Sequence, residues 1–155
     1  MDKVLITSYR SEFKDAFKIL NKEWIDKYFV MEAADHRSLE HPEEYIIKNG
    51  GNIFYAIIDD LPVGVCALVK SNHPLYDYEL SKMAVTGDHQ GKGIGRSLAE
   101  KVISEARLAG GQSIFLESNT ILEPAIMLYR SLGFKKIDDF ISDYERSNIQ
   151  MVLKL

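Results

Sequence analysis

The sequence has little that would suit an oxidising compartment or a membrane. It contains one cysteine, Cys66, among 155 residues, so no internal disulfide can form. No apolar run reaches the roughly 18 residues that a transmembrane helix needs. The residues from Met1 onward are typical of a strand rather than a signal peptide. We therefore expect a cytoplasmic protein with no membrane partner.

An excess of positive charge is also missing. The chain has 23 acidic and 19 basic side chains and a net charge of −4, which argues against a nucleic-acid partner. No metal site is expected. Hydrophobic residues make up 46% of the chain, and a chain of this length buries on the order of 70% of its unfolded surface. We expect one domain, residues 1–155.

A glycine-rich turn, Gln90–Arg96, is the most informative segment. It lies between an apolar run that ends at Val85 and a segment with helical periodicity. Backbone N–H groups at the start of a helix bind anions, and glycine lets the backbone approach a diphosphate closely. The turn therefore predicts a phosphate-bearing ligand, and basic side chains surround it in sequence: Lys82, His89, Lys92, Arg96 and Lys101.

The turn does not match the two common nucleotide-binding motifs. The dinucleotide motif G-x-G-x-x-G needs a third glycine where the chain has Arg96 or Leu98. The P-loop fails because Gly93 follows Lys92 at a position that requires a hydroxyl side chain. These failures argue against a nucleotide-dependent oxidoreductase.

Periodicity along the chain predicts the order β-α-α-β-β-β-α-β-α-β-β, which is typical of an α+β fold with a mixed sheet between helices. The expected strands are 4–10, 52–58, 63–69, 76–85, 113–118, 135–137 and 149–155. The expected helices are 12–27 with Ser11 as N-cap, short pieces within 29–49 that restart at Pro42, 94–109, and 122–132 with Gly133 at C′.

Three segments in this order resemble the GNAT-type acyl-CoA N-acyltransferases: Glu79–Val85, Gln90–Gly95 and Ala125–Phe134. The resemblance covers nearly the whole chain. It implies a three-layer α/β/α fold with a central mixed, mostly antiparallel sheet. It also implies an enzyme that moves an acetyl group from acetyl-CoA to a primary amine of a small molecule or peptide, directly within a ternary complex. The alternative is a non-catalytic module that binds and senses acyl-CoA.

The resemblance also assigns coenzyme A contacts. It implies that the backbone of Met83, Ala84 and Val85 pairs with the pantetheine arm. It places the pyrophosphate on the loop residues Gln90, Gly91, Lys92, Gly93, Ile94, Gly95 and Arg96. Asn119 follows a predicted strand and either binds pantetheine or caps a turn before Leu122.

Two residues are candidates for proton transfer. Tyr129 matches the tyrosine of the family's L-Y-x-x-x-G-F helix, which implies a general acid for the departing thiolate, although it equally suits an apolar helix face. Glu79 is the general-base candidate, or else a surface carboxylate. Strand alternation would put Glu79 on the same side as Ser81, Met83 and Val85. Competing bases are Glu32, Asp35, His36 and His41.

The acceptor side is less defined. Candidate wall residues are Trp24, Tyr28, Phe29, Met31, Glu32, Tyr144 and Arg146, although an aromatic stripe at helical spacing also suits a core. Carboxylates would suit a cationic amine. The sequence does not name the acceptor, and it leaves a monomer and a homodimer both open.

Overall fold

The computed structural model describes residues 3–138 and 142–155. The strands are β1 (Leu5–Ser8), β2 (Asn52–Ile58), β3 (Leu61–Lys70), β4 (Tyr78–Val85), β5 (Ser113–Ser118), β6 (Lys135–Ile137) and β7 (Ile149–Lys154). The helices are α1 (Lys14–Tyr28), α2 (Ala33–Glu40), α3 (Ile94–Leu108) and α4 (Glu123–Ser131). Short 3₁₀ turns lie at Ser11–Phe13 and Gly87–His89, and a π-helical turn lies at Glu43–Ile47. The predicted order of elements is confirmed.

The seven strands form one sheet in the order β1-β2-β3-β4-β5-β7-β6. Every neighbouring pair is antiparallel except β4 and β5, which are parallel. The sheet is therefore mixed and mostly antiparallel, as expected for the α+β fold. The single parallel pair needs a crossover connection, and α3 supplies it.

Helices cover both faces of the sheet. On one face α3 and α4 bury a cluster that includes Leu98, Val102 and Tyr129. On the other face α1 and α2 bury a second cluster that includes Phe17 and Ile25. Each fully buried side chain of this size contributes about 1.5–3 kcal/mol. Among the described residues, no helix is long and apolar enough to cross a membrane.

Two turns show how local chemistry sets the element ends. Asp59 and Asp60 alone join β2 to β3, with φ angles of 50° and 64°. The predicted strands left residues 59–62 as the connector. Two residues suffice because aspartate tolerates the left-handed region that a two-residue hairpin needs. At the end of α4, the N–H of Phe134 donates to the carbonyl of Tyr129 at 3.0 Å, and Gly133 has φ 102°. This is the predicted glycine cap.

The predicted cap at Ser11 is wrong. Ser11 begins a 3₁₀ turn, α1 starts only at Lys14, and neither start has a side-chain cap. The turn instead uses a backbone bond, in which the N–H of Phe13 donates to the carbonyl of Arg10 at 3.0 Å. A backbone bond at this position leaves no need for the serine hydroxyl.

Candidate active site

A cleft opens where the two parallel strands separate. β4 and β5 pair only at Tyr78 with Ile114 and at Glu79 with Phe115. Beyond these pairs, the edge of β4 that faces β5 has no strand partner among the described residues. An unpaired strand edge offers backbone hydrogen bonds to an extended ligand. The backbone of Met83, Ala84 and Val85 lies on this stretch, and its contact with pantetheine stays a prediction.

A bulge interrupts β4 at the same level. Val65 of β3 pairs with Ala84, and Ala67 pairs with Ser81, so that two residues, Lys82 and Met83, face the single residue between them. Lys82 has φ 55°, which is left-handed and unusual for a lysine. The extra residue reverses the alternation of side chains along the strand.

The bulge corrects the predicted grouping of side chains on β4. Met83 and Val85 pack on the cluster under α3 and α4, whereas Ala84 belongs to the cluster under α1 and α2. Leu80 lies on the α3 side, so Glu79 faces the α1 side. Glu79 therefore lies on the face opposite to Met83 and Val85, and not on the same one.

The glycine loop presents a row of unused donors. Each backbone N–H from Gly91 to Arg96 has no acceptor among the described residues, and the first helical bond is donated by Ser97 to the carbonyl of Gly93 at 3.1 Å. Gly91 and Gly93 have φ angles of 78° and 81°, which glycine adopts without strain. The loop is therefore a cradle for an anion at the start of α3.

Side chains of the loop hold it in place. The Nε2 of Gln90 donates to the carbonyl of Val85 at 3.1 Å and closes the loop on β4. Arg96 donates to the hydroxyl of Ser131 and so ties α3 to α4. Lys92 is exposed, and its Nζ lies 3.5 Å from His89 Nδ1.

The charge around the loop is smaller than the sequence suggested. The bulge turns Lys82 away from the loop to bind Asp35, and Lys101 pairs with Glu105 at 2.8 Å. Of that group, His89, Lys92 and Arg96 stay near the loop, and Arg96 lies 3.8 Å from Glu100. The unused N–H groups, rather than a large basic patch, therefore characterise the cradle.

The cleft encloses about 760 Å³, open mouth included, and is bounded by β4, β5, α1, α4 and the segment before β7. Both candidate proton-transfer residues, Glu79 and Tyr129, line it. Of the predicted acceptor wall, the lining includes Trp24, Phe29, Tyr144 and Arg146, but not Tyr28, Met31 or Glu32.

Tyr129 lies on α4 with 8% of its surface exposed, and its ring packs edge-on against Phe134 at 5.9 Å. Among the described residues its hydroxyl has no hydrogen-bond partner. Burial raises the pKa of this phenol above its ordinary value of 10.0. The buried thiol of Cys66 lies near it, and burial raises the pKa of that thiol as well. Both groups therefore keep their protons at neutral pH.

Glu79 faces a second carboxylate that the sequence reading missed, Glu117 of β5. Burial, and then the negative charge of Glu117, raise the pKa of Glu79 from 4.5 to about 8, although the charge of Lys82 acts in the opposite direction. Burial also raises the pKa of Glu117. A carboxylate with a pKa near neutrality is suited to accept and release a proton. Glu117 gave no signal in the sequence because it is a single acid in a short apolar strand.

Asp35 joins α2, β4 and the segment before β7. Its side chain is fully buried and binds Arg146 through two bonds of 2.5 and 2.6 Å and Lys82 Nζ at 2.5 Å. Burial alone would raise the pKa of Asp35, but the bonds from Arg146 and the charge of Lys82 outweigh it and hold the pKa below 3.8. Asp35 is therefore a fixed anion and poorly suited to be a base.

The other competing bases lie away from the reacting end of the cleft. Glu32 accepts the N–H of Glu145 at 2.8 Å and binds Arg146 at 3.3 Å. His36 and His41 are exposed, and His36 lies 3.8 Å from Glu40. Glu79 is the candidate base that the structure brings into the same cleft as Tyr129.

Asn119 follows β5 and lines the cleft, but its side chain is engaged within the protein. Its Oδ1 accepts the N–H of Ile121 at 3.0 Å, and its Nδ2 donates to the carbonyl of Arg146 at 2.7 Å. Of the two roles predicted for Asn119, the structure shows the one in which it caps the turn before Leu122. A contact with coenzyme A stays a prediction.

Within residues 3–138 and 142–155, no cluster of three or more histidine, cysteine, aspartate or glutamate side chains is arranged to hold a metal ion. The site instead fits a long ligand with a phosphate at one end. The N–H cradle would hold the phosphates, and the open edge of β4 would hold an extended arm. That edge leads to the end of the cleft where Glu79 and Tyr129 lie.

Comparison with known families agrees with this geometry. Residues 13–134 match the model of the "Acetyltransferase (GNAT) family". N-acetylaspartate synthetase of Xenopus tropicalis is 33% identical over 108 residues, which are 69% of this chain and 40% of that protein. N-alpha-acetyltransferase RimI of Mycobacterium tuberculosis is 32% identical over 108 residues, 68% of this chain and 61% of that protein. The chain thus spans less than two thirds of these relatives.

Solved structures share the fold. A GNAT-family acetyltransferase of Staphylococcus aureus Mu50 superposes with a TM-score of 0.87 at 21% identity, over 98% of this chain and 99% of that one. YncA of Salmonella typhimurium, a putative acetyltransferase solved with its cofactor acetyl-CoA, gives a TM-score of 0.79 at 20% identity, over 98% and 94%. Identities this low establish the fold alone.

Proposed function

Because this chain belongs to the GNAT acetyltransferase family, we propose that it transfers an acetyl group from acetyl-CoA to a primary amine of a small molecule or peptide. The transfer is direct, within a ternary complex, and no side chain carries the acetyl group. The only cysteine, Cys66, is buried and protonated, which is consistent with a mechanism that needs no protein nucleophile.

The observation that carries this proposal is the row of unused N–H groups from Gly91 to Arg96 at the start of α3. Six adjacent donors without acceptors are costly unless water or a ligand binds them, and the helix terminus adds positive partial charge. These groups would hold the pyrophosphate of acetyl-CoA. The open edge of Met83, Ala84 and Val85 would hold its pantetheine arm.

Glu79 and Tyr129 each carry out one proton transfer. Acetyl-CoA supplies an activated thioester. The amine nitrogen forms the new C–N bond as the C–S bond breaks, and the amine proton passes to Glu79, directly or through water. Tyr129 donates its hydroxyl proton to the departing sulfur. The protons balance when Glu79 releases one proton to solvent and Tyr129 regains one.

The environments of the two residues suit these roles. The raised pKa of Glu79, about 8, gives it affinity for the proton that the neutral amine loses as the C–N bond forms, while still allowing it to ionise. The Tyr129 hydroxyl has no competing acceptor among the described residues, so it is free to donate to a ligand. A phenol and a thiolate have comparable ordinary pKa values, which favours proton transfer between them.

The alternative is a non-catalytic module that binds acyl-CoA. A sensing module needs the cradle but has no use for a general base and a general acid that share one cleft. The placement of Glu79 and Tyr129 in the same cleft therefore favours an enzyme.

Acetyl-CoA binding and turnover test the proposal. Calorimetric titration should show one acetyl-CoA site, and coenzyme A release should depend on an added amine. The amine panel includes aspartate and a peptide with a free N-terminus, because the relatives are named N-acetylaspartate synthetase and N-alpha-acetyltransferase. Binding without turnover of any amine would favour the sensing module, and absence of binding would overturn both functions.

A further inference from the structure

The charges in the cleft are not balanced evenly. Its two cationic side chains, Lys82 and Arg146, are held by two carboxylates: both bind the buried Asp35, and Arg146 also binds Glu32 at 3.3 Å. Its two carboxylates, Glu79 and Glu117, have no cation within salt-bridge distance among the described residues. Asp143, exposed at the surface beside them, adds a third negative charge that raises the pKa of both. The acids Glu79, Glu117 and Asp143 are therefore available to a cationic ligand, whereas both cations of the cleft are already bound to carboxylates.

Neutral donors hold Glu117 in position. The hydroxyl of Ser142 donates to its Oε2 at 3.0 Å, and Nε2 of Gln150 donates to its Oε1 at 3.3 Å. Gln150 is 1% exposed and lies opposite Glu117 in the β5–β7 ladder. Two neutral hydrogen bonds fix the orientation of a carboxylate without neutralising its charge, and each oxygen can still accept another donor.

Asn21 gives independent evidence for a bound donor group. This residue of α1 is 1% exposed and lines the same cleft. Its Nδ2 donates to the carbonyl of Phe17 at 3.0 Å, while its Oδ1 has no donor partner among the described residues. The hydroxyl of Ser147, also on the cleft lining, is buried without a partner. The buried Ser147 hydroxyl without a partner is costly, and the amide oxygen of Asn21 is free to accept a hydrogen bond from an amine in the cleft.

We propose that the acceptor is a linear diamine, whose reacting amine lies at Glu79 and whose second ammonium binds Glu117 and the amide oxygen of Asn21. This inference rests on the proposed acetyl transfer and names its substrate class. Glu79 takes the proton of the reacting amine, and Glu117, which has no cation within salt-bridge distance among the described residues, matches the charge of the second ammonium. Trp24 and Phe29 line the cleft on the α1 side and give apolar surface for the methylene chain.

An acidic acceptor such as aspartate fits this cleft poorly. Its carboxylates would face Glu79, Glu117 and Asp143, and like charges in a partly buried site repel strongly. Lys82 and Arg146 could not compensate without giving up Asp35, which would leave a buried anion unpaired. Charge therefore selects against an acid and in favour of a second cation.

Matched pairs of amines test the inference in the full-length chain with saturating acetyl-CoA. We expect diaminobutane to have a kcat/KM at least about tenfold higher than butylamine, since a charge-assisted hydrogen bond is worth that much or more. Glu117→Gln should abolish this difference, because the KM for the diamine rises far more than the KM for butylamine. Glu44→Gln, an exposed site on the π-helical turn, is the matched control and should keep the preference.

A second readout is independent of turnover. Diaminobutane should raise the melting temperature of the native protein and of Glu44→Gln, but not that of Glu117→Gln. Equal rates for diaminobutane and butylamine, or faster turnover of aspartate, would overturn the inference and leave the acetyltransferase proposal intact. If no amine is acetylated although acetyl-CoA binds, both proposals are wrong.

Discussion

Single side chains set the pH response of the cleft, because the pKa values of Glu79 and Asp35 are shifted in opposite directions. Glu79 is held toward its protonated form by burial and by Glu117, whereas Asp35 is held ionised by Arg146 and Lys82. The difference follows from the partners: the first acid faces another acid, and the second faces two cations. Glu79 can therefore exchange a proton near neutral pH, whereas Asp35 stays ionised at every physiological pH.

The free energy of unfolding should fall as pH rises from 4.5 to about 8, because the folded state holds a proton on Glu79 that the unfolded state has lost. The expected slope from this group is about 1.4 kcal/mol per pH unit, and the raised pKa of Glu117 acts in the same direction. Asp35 acts in the opposite sense, but only below pH 3.8. Urea titrations across this range should show a flatter profile for Glu79→Gln and an unchanged one for Glu44→Gln. An unchanged profile for Glu79→Gln would contradict the buried, protonated carboxyl.

Tyr129→Phe should lower kcat by about a hundredfold, in the range for loss of a general acid, with the dissociation constant for acetyl-CoA unchanged. Stability should change by less than about 1 kcal/mol, since the hydroxyl makes no hydrogen bond among the described residues whose loss would cost free energy. Steady-state kinetics and calorimetry separate these effects. Tyr45→Phe, at a residue that is 44% exposed, is the control and should leave kcat unaffected. Undiminished turnover by Tyr129→Phe would exclude the hydroxyl as the acid.

At the scale of elements, the strand order and the helices were predictable because each depends on short-range periodicity. The bulge in β4 was not, because Lys82 is not a residue type that signals a left-handed backbone. Strict alternation from Glu79 to Val85 predicts Met83 on the same face as Glu79, whereas the extra residue of the bulge puts Met83 on the opposite face. The two-residue alternation of a strand does not show where a bulge interrupts it, because a bulge is defined by the pairing with the neighbouring strand.

The sequence also does not predict which residues distant in the chain form ion pairs with each other. Asp35 was a candidate base in the sequence, because nothing near it in the chain shows that Lys82 and Arg146 will surround it. Those ion pairs join residues 47 and 111 positions apart. The glycine loop, in contrast, depends on consecutive residues, and its location before α3 was predicted from the sequence.

The glycine loop gives a prediction with an internal control. Gly91 and Gly93 have positive φ angles, whereas Gly87 does not, and a Cβ at any of the three meets nothing within 4 Å. Alanine at 91 or 93 should therefore cost about 1–2 kcal/mol of backbone strain and weaken acetyl-CoA binding about tenfold by turning the N–H groups away. Calorimetric titration should show no such loss for Gly87→Ala. Equal affinities in all three variants would mean that the loop does not hold the ligand.

Asp35→Asn tests the junction between α2, β4 and the segment before β7. The substitution leaves Lys82 and Arg146 without their buried anion, and breaking a buried ion pair from one side costs about 3–5 kcal/mol. Asp26→Asn removes an exposed partner of Lys22 and should cost less than about 1 kcal/mol. Urea denaturation measures both. A loss below about 1 kcal/mol for Asp35→Asn would show that the cluster contributes little to stability.

For the whole molecule, one sheet serves both the core and the cleft. The clusters under α3 and α4 and under α1 and α2 share the same strands, so we expect them to unfold together. The cleft lies where β4 and β5 part, which joins the cradle on one face to the acidic pocket on the other. We propose that residues 1–155 form a single domain whose stability depends directly on the ligand.

Thermal unfolding should therefore show one transition that acetyl-CoA moves as a unit. A ligand at a hundred times its dissociation constant adds about 2.7 kcal/mol to the free energy of unfolding, which for a chain of this size corresponds to a rise in Tm of roughly 5–10 °C. Scanning calorimetry should give equal calorimetric and van't Hoff enthalpies with and without ligand. Gly93→Ala should show a smaller shift than Gly87→Ala at the same acetyl-CoA concentration, because its cradle is disrupted. Two separate transitions, of which acetyl-CoA shifts only one, would contradict a single domain. They would show that ligand binding stabilises only one part of the sheet.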